Sequence, residues 1–309
     1  MAARLSARTF LEGPMLTPSD LCMAVLVRED DDRRERPMPT LTVPEIPEAV
    51  RALADCGIKS VKIFAGSRKR DALASQHASR TGLMAHAIAA AKTASPSTLV
   101  MTETCVCSHT DSGECWITNR RGLRAPEETI EALGLQAVMQ ADAGADIVGP
   151  AAMLPGSVDQ VRRHLDDAGH NRVAIMPHLI FESSLYEGYR ASMGAVPRSG
   201  VRASQISPAH PEQAEHVARQ MVDEGADFIL TEPALHTVDT LIRLKAASLP
   251  VPLIPFSVSG EYLRLSDPRE DGSRDVRGLI ESYTVLKRAG AAKILTYAAL
   301  DIARHLTAA

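Results

Sequence analysis

The chain has 309 residues, a formal net charge of −4, 45% apolar residues and 23% charged residues. No basic face or aromatic-interleaved basic stretch is present, and no apolar run approaches the ~20 residues that span a bilayer, so we expect neither nucleic-acid nor membrane partners. Five cysteines, three of them crowded together, favour reduced thiols used as ligands over a disulfide framework, and no secretory signal is recognisable, so we expect a cytoplasmic protein.

Short apolar runs rich in Val and Ile alternate with longer amphipathic segments. The predicted strands, in chain order, are Cys22–Val27, Ser60–Phe64, Thr98–Thr102, Asp146–Val148, Arg172–Met176, Asp227–Leu230, Val251–Phe256 and Lys293–Thr296. The predicted helices between them include Glu127–Asp142, Val158–Ala168, Pro211–Glu224, Val238–Ala247 and Val276–Ala289. Eight apolar strands alternating with helices favour an α/β fold, a (β/α)₈ TIM barrel rather than an open sheet.

Three joints between a helix and the next strand share one pattern, with a glycine at Gly144, Gly225 and Gly290 that suits a helix C-terminus. No GxGxxG motif follows the first strand and no P-loop is present, which weakens dinucleotide and nucleotide-hydrolysing alternatives. We expect one barrel over residues 21–309. Residues 1–20 form an N-terminal arm that is either disordered, which its sequence favours, or wrapped around a neighbouring subunit.

Three cysteines, Cys105, Cys107 and Cys115, follow the third predicted strand directly. In these barrels the loops after the strands build the active site. Zinc prefers thiolate sulfur, and three protein ligands leave a fourth position for water or substrate, so the spacing predicts a catalytic zinc site. His109 or Glu114 would instead complete a four-ligand structural site, and three unrelated buried cysteines are the alternative without a metal.

The remaining cysteines and the polar residues of this loop have simpler interpretations. Cys22 and Cys56 lie in a predicted strand and helix, where ordinary core cysteines are expected. Asp111 and His109 either orient the zinc ligands or are polar loop residues.

Several sequence blocks, in order, resemble the porphobilinogen synthase (5-aminolevulinate dehydratase) family. They are Cys105-x-Cys107-x₇-Cys115, Glu128-Thr-Ile-Glu-Ala-Leu, Ala143-Gly-Ala-Asp-Ile-Val, Val258-Ser-Gly-Glu-Tyr262 and Leu286-Lys-Arg-Ala-Gly290. The resemblance implies a (β/α)₈ barrel whose N-terminal arm embraces a neighbour in a homo-oligomer, an octamer or a smaller assembly. It also implies a three-cysteine Zn²⁺ site and the condensation of two 5-aminolevulinate molecules into a pyrrole.

The resemblance breaks at the two lysines that form Schiff bases with the substrate ketones in that family. The position after the fifth strand is Ile180 or Phe181, depending on a one-residue gap, and the position ending the sixth strand is Glu232. No lysine occurs between Lys92 and Lys245, so no shift of the alignment restores either one. The Ser-Asp pair that the family places after the fourth strand is Ala151-Ala152 here.

At other positions the sequence carries the same residues as the family. Tyr186, Gln205, Ser259 and Tyr297 match the family, where the last two hold a substrate carboxylate. Arg190 matches the first of two arginines on the active-site lid, whereas the second aligns with Val201 and has Arg202 beside it. We expect these residues to bind substrate, although Ser259 would otherwise be interpreted as a helix cap and Arg190 as a surface residue.

Three residues are candidates for proton transfer. Glu232 ends a barrel strand, where it either acts as an acid or base, or binds a substrate ammonium, or pairs with an arginine. His178 also ends a strand and is either a site residue or a buried structural histidine. Glu182 is a further candidate whose register depends on the same one-residue gap.

The leading hypothesis is a zinc-dependent lyase that condenses and dehydrates small amino-keto acids, with pyrrole formation in a specialised pathway as one outcome, without Schiff-base lysines. Direct condensation of an amine with a carbonyl needs no enzyme lysine. A zinc-assisted carbon–carbon lyase or aldolase is a neighbouring alternative, and a non-catalytic binding or assembly protein is another. Ordinary porphobilinogen synthase activity is not expected.

Overall fold

The computed structural model describes residues 16–119, 121–200, 204–270 and 272–308. Most of the predicted N-terminal arm and Arg202 therefore lie outside the described residues. Within those ranges, no helix combines the length and apolar character that crossing a bilayer requires.

Most of the strands belong to one parallel sheet. The strands are β1 (Leu21–Val27), β2 (Thr40–Leu41), β3 (Ser60–Ala65), β4 (Leu99–Thr102), β5 (Ile117–Thr118), β6 (Arg124–Ala125), β7 (Ile147–Val148), β8 (Ala174–Ile175), β9 (His178–Ile180), β10 (Ile229–Glu232), β11 (Leu253–Ser257), β12 (Asp267–Pro268), β13 (Arg274–Asp275) and β14 (Ile294–Thr296). The main sheet runs β8-β7-β4-β3-β1-β14-β11-β10-β9, with β2 beside β1, while β5-β6 and β12-β13 form small antiparallel pairs.

The two ends of the main sheet are halves of a single strand. β8 and β9 are interrupted only at Met176 and Pro177. The Met176 amide donates to Val148 O at 2.8 Å on one side, and the Leu230 amide donates to Pro177 O at 3.0 Å on the other. The sheet therefore closes into a ring of eight strands, which confirms the predicted (β/α)₈ barrel.

The helices lie between successive strands of the barrel. They are α1 (Ile46–Asp55), α2 (Leu83–Ala94), α3 (Pro126–Asp142), α4 (Ser157–Asp167), α5 (Glu187–Met193), α6 (Gln213–Asp223), α7 (Val238–Ala246), α8 (Ser259–Leu265), α9 (Arg277–Ala289) and α10 (Ala299–Ala308). All five predicted helices begin and end within two residues of observed ones, α3, α4, α6, α7 and α9.

The glycines predicted at the helix-to-strand joints adopt the left-handed conformation. Gly144, Gly225 and Gly290 have φ of 106°, 105° and 109°. Such angles strain any residue with a Cβ, which explains why glycine recurs where each helix turns back to the barrel. Because neighbouring strands of the barrel pair in parallel, their C-terminal ends meet at one mouth of the barrel.

Candidate metal centre and active-site pocket

A pocket of about 570 Å³, measured with its mouth, lies at the C-terminal ends of the strands. Most of its lining comes from the strand ends and from α5 and its flanks. It is lined by Phe64, Glu103, Cys105, Cys107, Cys115, Ala151, His178, Ile180, Tyr186, Tyr189, Arg190, Ala195, Gln205, Glu232, Phe256, Val258, Ser259 and Tyr297. The position agrees with the usual place of active sites in this architecture.

The three predicted metal ligands meet in one wall of this pocket. The sulfur atoms of Cys105, Cys107 and Cys115 all lie within 4.8 Å of one another. In the described part of the chain, no other group of three or more Cys, His, Asp or Glu side chains gathers its ligand atoms so closely. Neither His109 nor Glu114 brings a ligand atom into this group, so the structure does not form a four-ligand site with either residue.

The chemistry of this donor set fits zinc. Hydrogen bonds to Cys107 and Cys115, together with burial, hold the pKa of the Cys105 thiol well above its usual range. Three such thiols do not ionise side by side without a compensating cation, and a divalent metal supplies that charge. Three thiolates would hold a zinc ion and leave a fourth position for water or substrate, and all three cysteines line the pocket.

The start of the cysteine loop is fixed by a buried glutamine of α3. The hydroxyls of Thr102 and Thr104 donate to Gln140 Oε1 at 2.9 and 2.7 Å. The amide of Gln140 in turn donates to Glu103 O at 2.8 Å. Because these groups are buried, leaving any of them unpaired would be costly, so the helix and the loop hold each other in place.

The turn that brings Cys115 back depends on Gly113. Its φ is +70°, and a Cβ there would lie 2.4 Å from Val196 O. We expect Gly113→Ala to lower the free energy of unfolding by roughly 2–4 kcal/mol, because both strain and a backbone clash arise. Gly122→Ala is the matched control, since its φ is +74° with nothing within 4 Å, and about 1 kcal/mol of strain alone is expected. Equal losses in the free energy of unfolding of the two variants, measured by urea denaturation, would contradict the close approach of Gly113 to Val196 O.

An imidazole and a carboxyl group form a buried pair across β9 and β10. His178 Nδ1 lies 2.8 Å from Glu232 Oε1, and both side chains are almost completely buried. Burial raises the pKa of Glu232 to about 8, although Lys62 and Arg190 act in the opposite direction. Burial, followed by the charge of Lys62, holds the pKa of His178 well below its usual range. The imidazole is therefore uncharged at neutral pH, and Glu232 gains or loses a proton near that range.

Glu103 is a second buried carboxyl group of the pocket, which sequence analysis missed. It receives a hydrogen bond of 2.7 Å from Tyr189 OH, and burial raises its pKa to about 7. A signal was available, because Glu103 follows β4 immediately and precedes the first cysteine. Polar residues at that point of a barrel strand face the catalytic mouth.

Other residues of the pocket lining carry groups suited to a carboxylate. The Arg190 guanidinium lies 5.0 Å from the centre of the Tyr186 ring. Tyr297 OH and Gln205 Oε1 are buried and have no hydrogen-bond partner among the described residues. Ser259 is engaged with α5 and its start, since its hydroxyl donates to Leu185 O and accepts from the Tyr189 amide.

Comparison with known proteins identifies the architecture. The family model described as delta-aminolevulinic acid dehydratase matches residues 2–305.

The chain belongs to the delta-aminolevulinic acid dehydratase family.

Its similarity to dehydratases of this family extends over nearly the whole chain. It is 32% identical to the enzyme of Bacillus subtilis over 313 residues, which cover 97% of this chain and 94% of the relative. It is 32% identical to that of Escherichia coli over 305 residues, or 96% and 93% of the two chains. The crystal structure of the Toxoplasma gondii dehydratase (porphobilinogen synthase) with its product porphobilinogen superposes with a TM-score of 0.89, at 26% identity over 97% of this chain and 88% of that one.

The dehydratase fold brings most of the predicted site residues together. The pocket lining includes the three cysteines, Tyr186, Arg190, Gln205, Ser259, Tyr297, His178 and Glu232. Of the two residues predicted to occupy the position of the family's fifth-strand lysine, Ile180 lines the pocket and Phe181 does not. Arg202 lies outside the described residues.

Glu182 requires a correction. Its side chain is exposed and does not line the pocket. Residues two apart in a strand share a face, but β9 ends at Ile180, so this alternation does not extend to Glu182. Only its backbone is held, through a hydrogen bond of 2.9 Å from the Glu182 amide to Ile206 O.

Proposed function

We propose that this member of the dehydratase family is a zinc-dependent lyase that condenses and dehydrates small amino-keto acids without a Schiff-base lysine. The observation that carries the proposal is one buried pocket that contains both the three-cysteine cluster and the His178–Glu232 pair. The strand ends that resemble the family's lysine positions carry Ile180 and Glu232, neither of which forms an imine.

The metal would be held by Cys105, Cys107 and Cys115. A bound zinc ion supplies a Lewis acid that polarises a substrate carbonyl. The remaining chemistry depends on groups of the chain itself.

Proton transfer is assigned to Glu232. Joining an amine to a ketone removes protons from nitrogen and releases the ketone oxygen as water, so a group that both accepts and returns a proton is required. A carboxyl group with a pKa of about 8 exchanges protons readily near neutral pH. The hydrogen bond between His178 Nδ1 and Glu232 Oε1 fixes the orientation of the carboxyl group, which lines the pocket.

Substrate carboxylates are assigned to the side of the pocket that carries Arg190. A guanidinium forms paired hydrogen bonds with a carboxylate, and Tyr297 OH supplies a further buried donor. The aromatic wall nearby, in which Phe64 and Phe256 stack at 5.8 Å, excludes water from the reacting atoms.

The proposal is tested by incubating the zinc-loaded protein with a panel of amino-keto acids, including 5-aminolevulinate, and identifying products by mass spectrometry. We expect loss of substrate with release of water, and pyrrole formation where both partners carry the needed amine and ketone. Binding without conversion of any compound would favour the non-catalytic alternative. Cleavage of a carbon–carbon bond would favour the aldolase alternative.

A further inference from the structure

Lys62 carries the only charged side chain of β3 and lies inside the barrel. It is completely buried, and its Nζ donates a hydrogen bond of 2.6 Å to Thr102 O. It forms no ion pair with any carboxylate in the described ranges. Burial lowers its pKa to about 8, while the charges of Glu103 and Glu232 act in the opposite direction. A buried ammonium group is costly unless nearby groups stabilise it, so the groups around Lys62 determine whether it stays charged.

Gly149 leaves the space in which Lys62 and His178 approach each other. A Cβ at Gly149 would lie 2.6 Å from Lys62 Nζ and 3.1 Å from His178 Nε2. Both nitrogens therefore border the same point. His178 Nε2 is fully buried and has no hydrogen-bond partner among the described residues, whereas Nδ1 is bonded to Glu232.

The ammonium acts on the imidazole through its charge. An uncharged imidazole carries one proton, on either Nδ1 or Nε2. A positive charge beside Nε2 repels an N–H there and attracts a lone pair, so it favours the form with the proton on Nδ1. That N–H then donates to Glu232 Oε1, which favours the ionised form of the carboxyl group over the protonated form.

We propose that Lys62 is a positioning residue that selects the tautomer of His178 and thereby orients Glu232 and favours its ionised, proton-accepting form. The proposal rests on the proposed function, in which Glu232 moves a proton. Lys62 does not line the pocket, so it acts through His178 and does not touch substrate. This role of Lys62 leaves Glu232, and not His178, as the residue that transfers a proton to or from the substrate, because His178 then orients the base.

Other charged or titratable groups face the same chain of three residues. Those near Glu232 are Arg190, Cys115, Glu103, Tyr186 and Tyr297, and those near Lys62 include Glu103 and Cys22. Arg190 favours ionised Glu232, as Lys62 does, whereas the negative charges oppose it. Removing the charge of Lys62 alone therefore increases the fraction of Glu232 that is protonated.

The test is nitrogen NMR of the zinc-loaded protein with ¹⁵N-labelled histidine, recorded as a function of pH. The signal of His178 is assigned from its loss in His178→Gln. In the wild type we expect the Nδ1–H form to persist to lower pH than in Lys62→Met. The same variant should lose about 10- to 100-fold in kcat with a smaller change in KM, as is typical when a group that orients a site residue is removed.

Two further variants separate charge from structure. Lys62→Gln keeps a donor for Thr102 O but has no charge, and we expect it to behave as Lys62→Met does. If Lys62→Met does not fold, Lys62→Gln provides the same measurement. Lys59→Gln removes an exposed lysine just before β3, and neither readout should change. A wild-type tautomer and kcat in Lys62→Gln would overturn the proposal, because the hydrogen bond alone would then suffice.

Two outcomes distinguish this proposal from the proposed function. A borohydride-reduced substrate adduct mapped to Lys62 would overturn the positioning role, since the lysine would then be a nucleophile. The tautomer measurement needs no turnover. If His178 responds to Lys62 as expected while no amino-keto acid is converted, the positioning role stands and the proposed function fails.

Discussion

Glu232→Gln is expected to reduce turnover by about 10²- to 10⁴-fold, the usual contribution of a positioned acid or base. Glutamine preserves the shape of the side chain and a hydrogen-bonding group for His178 Nδ1, which now lies 2.8 Å from Glu232 Oε1. It does not transfer a proton. We therefore expect kcat to fall much more than substrate affinity, measured by product formation under saturating substrate and by calorimetric binding.

Glu182→Gln is the matched control for this variant. It makes the same chemical change near the end of the neighbouring strand, but Glu182 is exposed and lies outside the pocket. Its turnover should remain within about twofold of the wild type, as for most surface substitutions. Similar losses in both variants would remove the case for Glu232 as the proton-transfer group.

The pH dependence of stability provides a separate check on Glu232. Its pKa rises from 4.5 to about 8 on folding, so the folded chain holds this proton more tightly than the unfolded chain. The resulting stabilisation is fully present below pH 4.5 and is lost as the pH rises through about 8. Glu232→Gln lacks this contribution. The difference in free energy of unfolding between wild type and variant should shift in favour of the variant as the pH rises, and a constant difference would contradict the raised pKa.

Cys107→Ala is expected to abolish both stoichiometric zinc binding and turnover. The cluster offers three thiolates within 4.8 Å of one another, and two ligands hold zinc far less tightly than three. Zinc content after gel filtration should fall from about one ion per chain to a small fraction, and kcat by more than about 10³-fold. Metal analysis and product assays check the two effects separately.

Cys56→Ala is the control for loss of a thiol. Cys56 is half-buried at the C-terminal end of α1 and does not belong to the cluster. Its removal should leave zinc content and turnover unchanged. Activity that persists in Cys107→Ala, or in wild type after chelation, would show that the metal is structural or absent from the reaction.

The barrel is predictable from the sequence because its signal is repeated along the chain. Each of the eight strands lies in an apolar run, and each predicted joint glycine has the left-handed conformation that a helix end requires. The sequence predicts the fifth strand as one short segment, Arg172–Met176. The sequence does not predict that this strand continues beyond Pro177, because proline lacks the amide hydrogen that a strand residue donates. In the structure, hydrogen bonds to the neighbouring strands on both sides keep the two halves of the strand in place.

The metal site was predictable and the interior charges were not. Three cysteines within eleven residues need only one turn, here at Gly113, to bring their sulfur atoms together, and the barrel rule assigns them to the mouth. Lys62 comes from β3 and His178 from β9, so their proximity depends on closure of the ring and on the missing side chain of Gly149. A lone lysine in an apolar strand was the available signal, but sequence does not tell which face it occupies.

The central claim is condensation without covalent attachment of the substrate to the chain. The most direct measurement is intact-protein mass spectrometry of the zinc-loaded enzyme, quenched with borohydride while it converts an amino-keto acid. We predict that product accumulates and that the protein mass is unchanged, because neither Ile180 nor Glu232 forms an imine and Lys62 acts at a distance. A protein mass increased by a reduced substrate adduct would contradict the account.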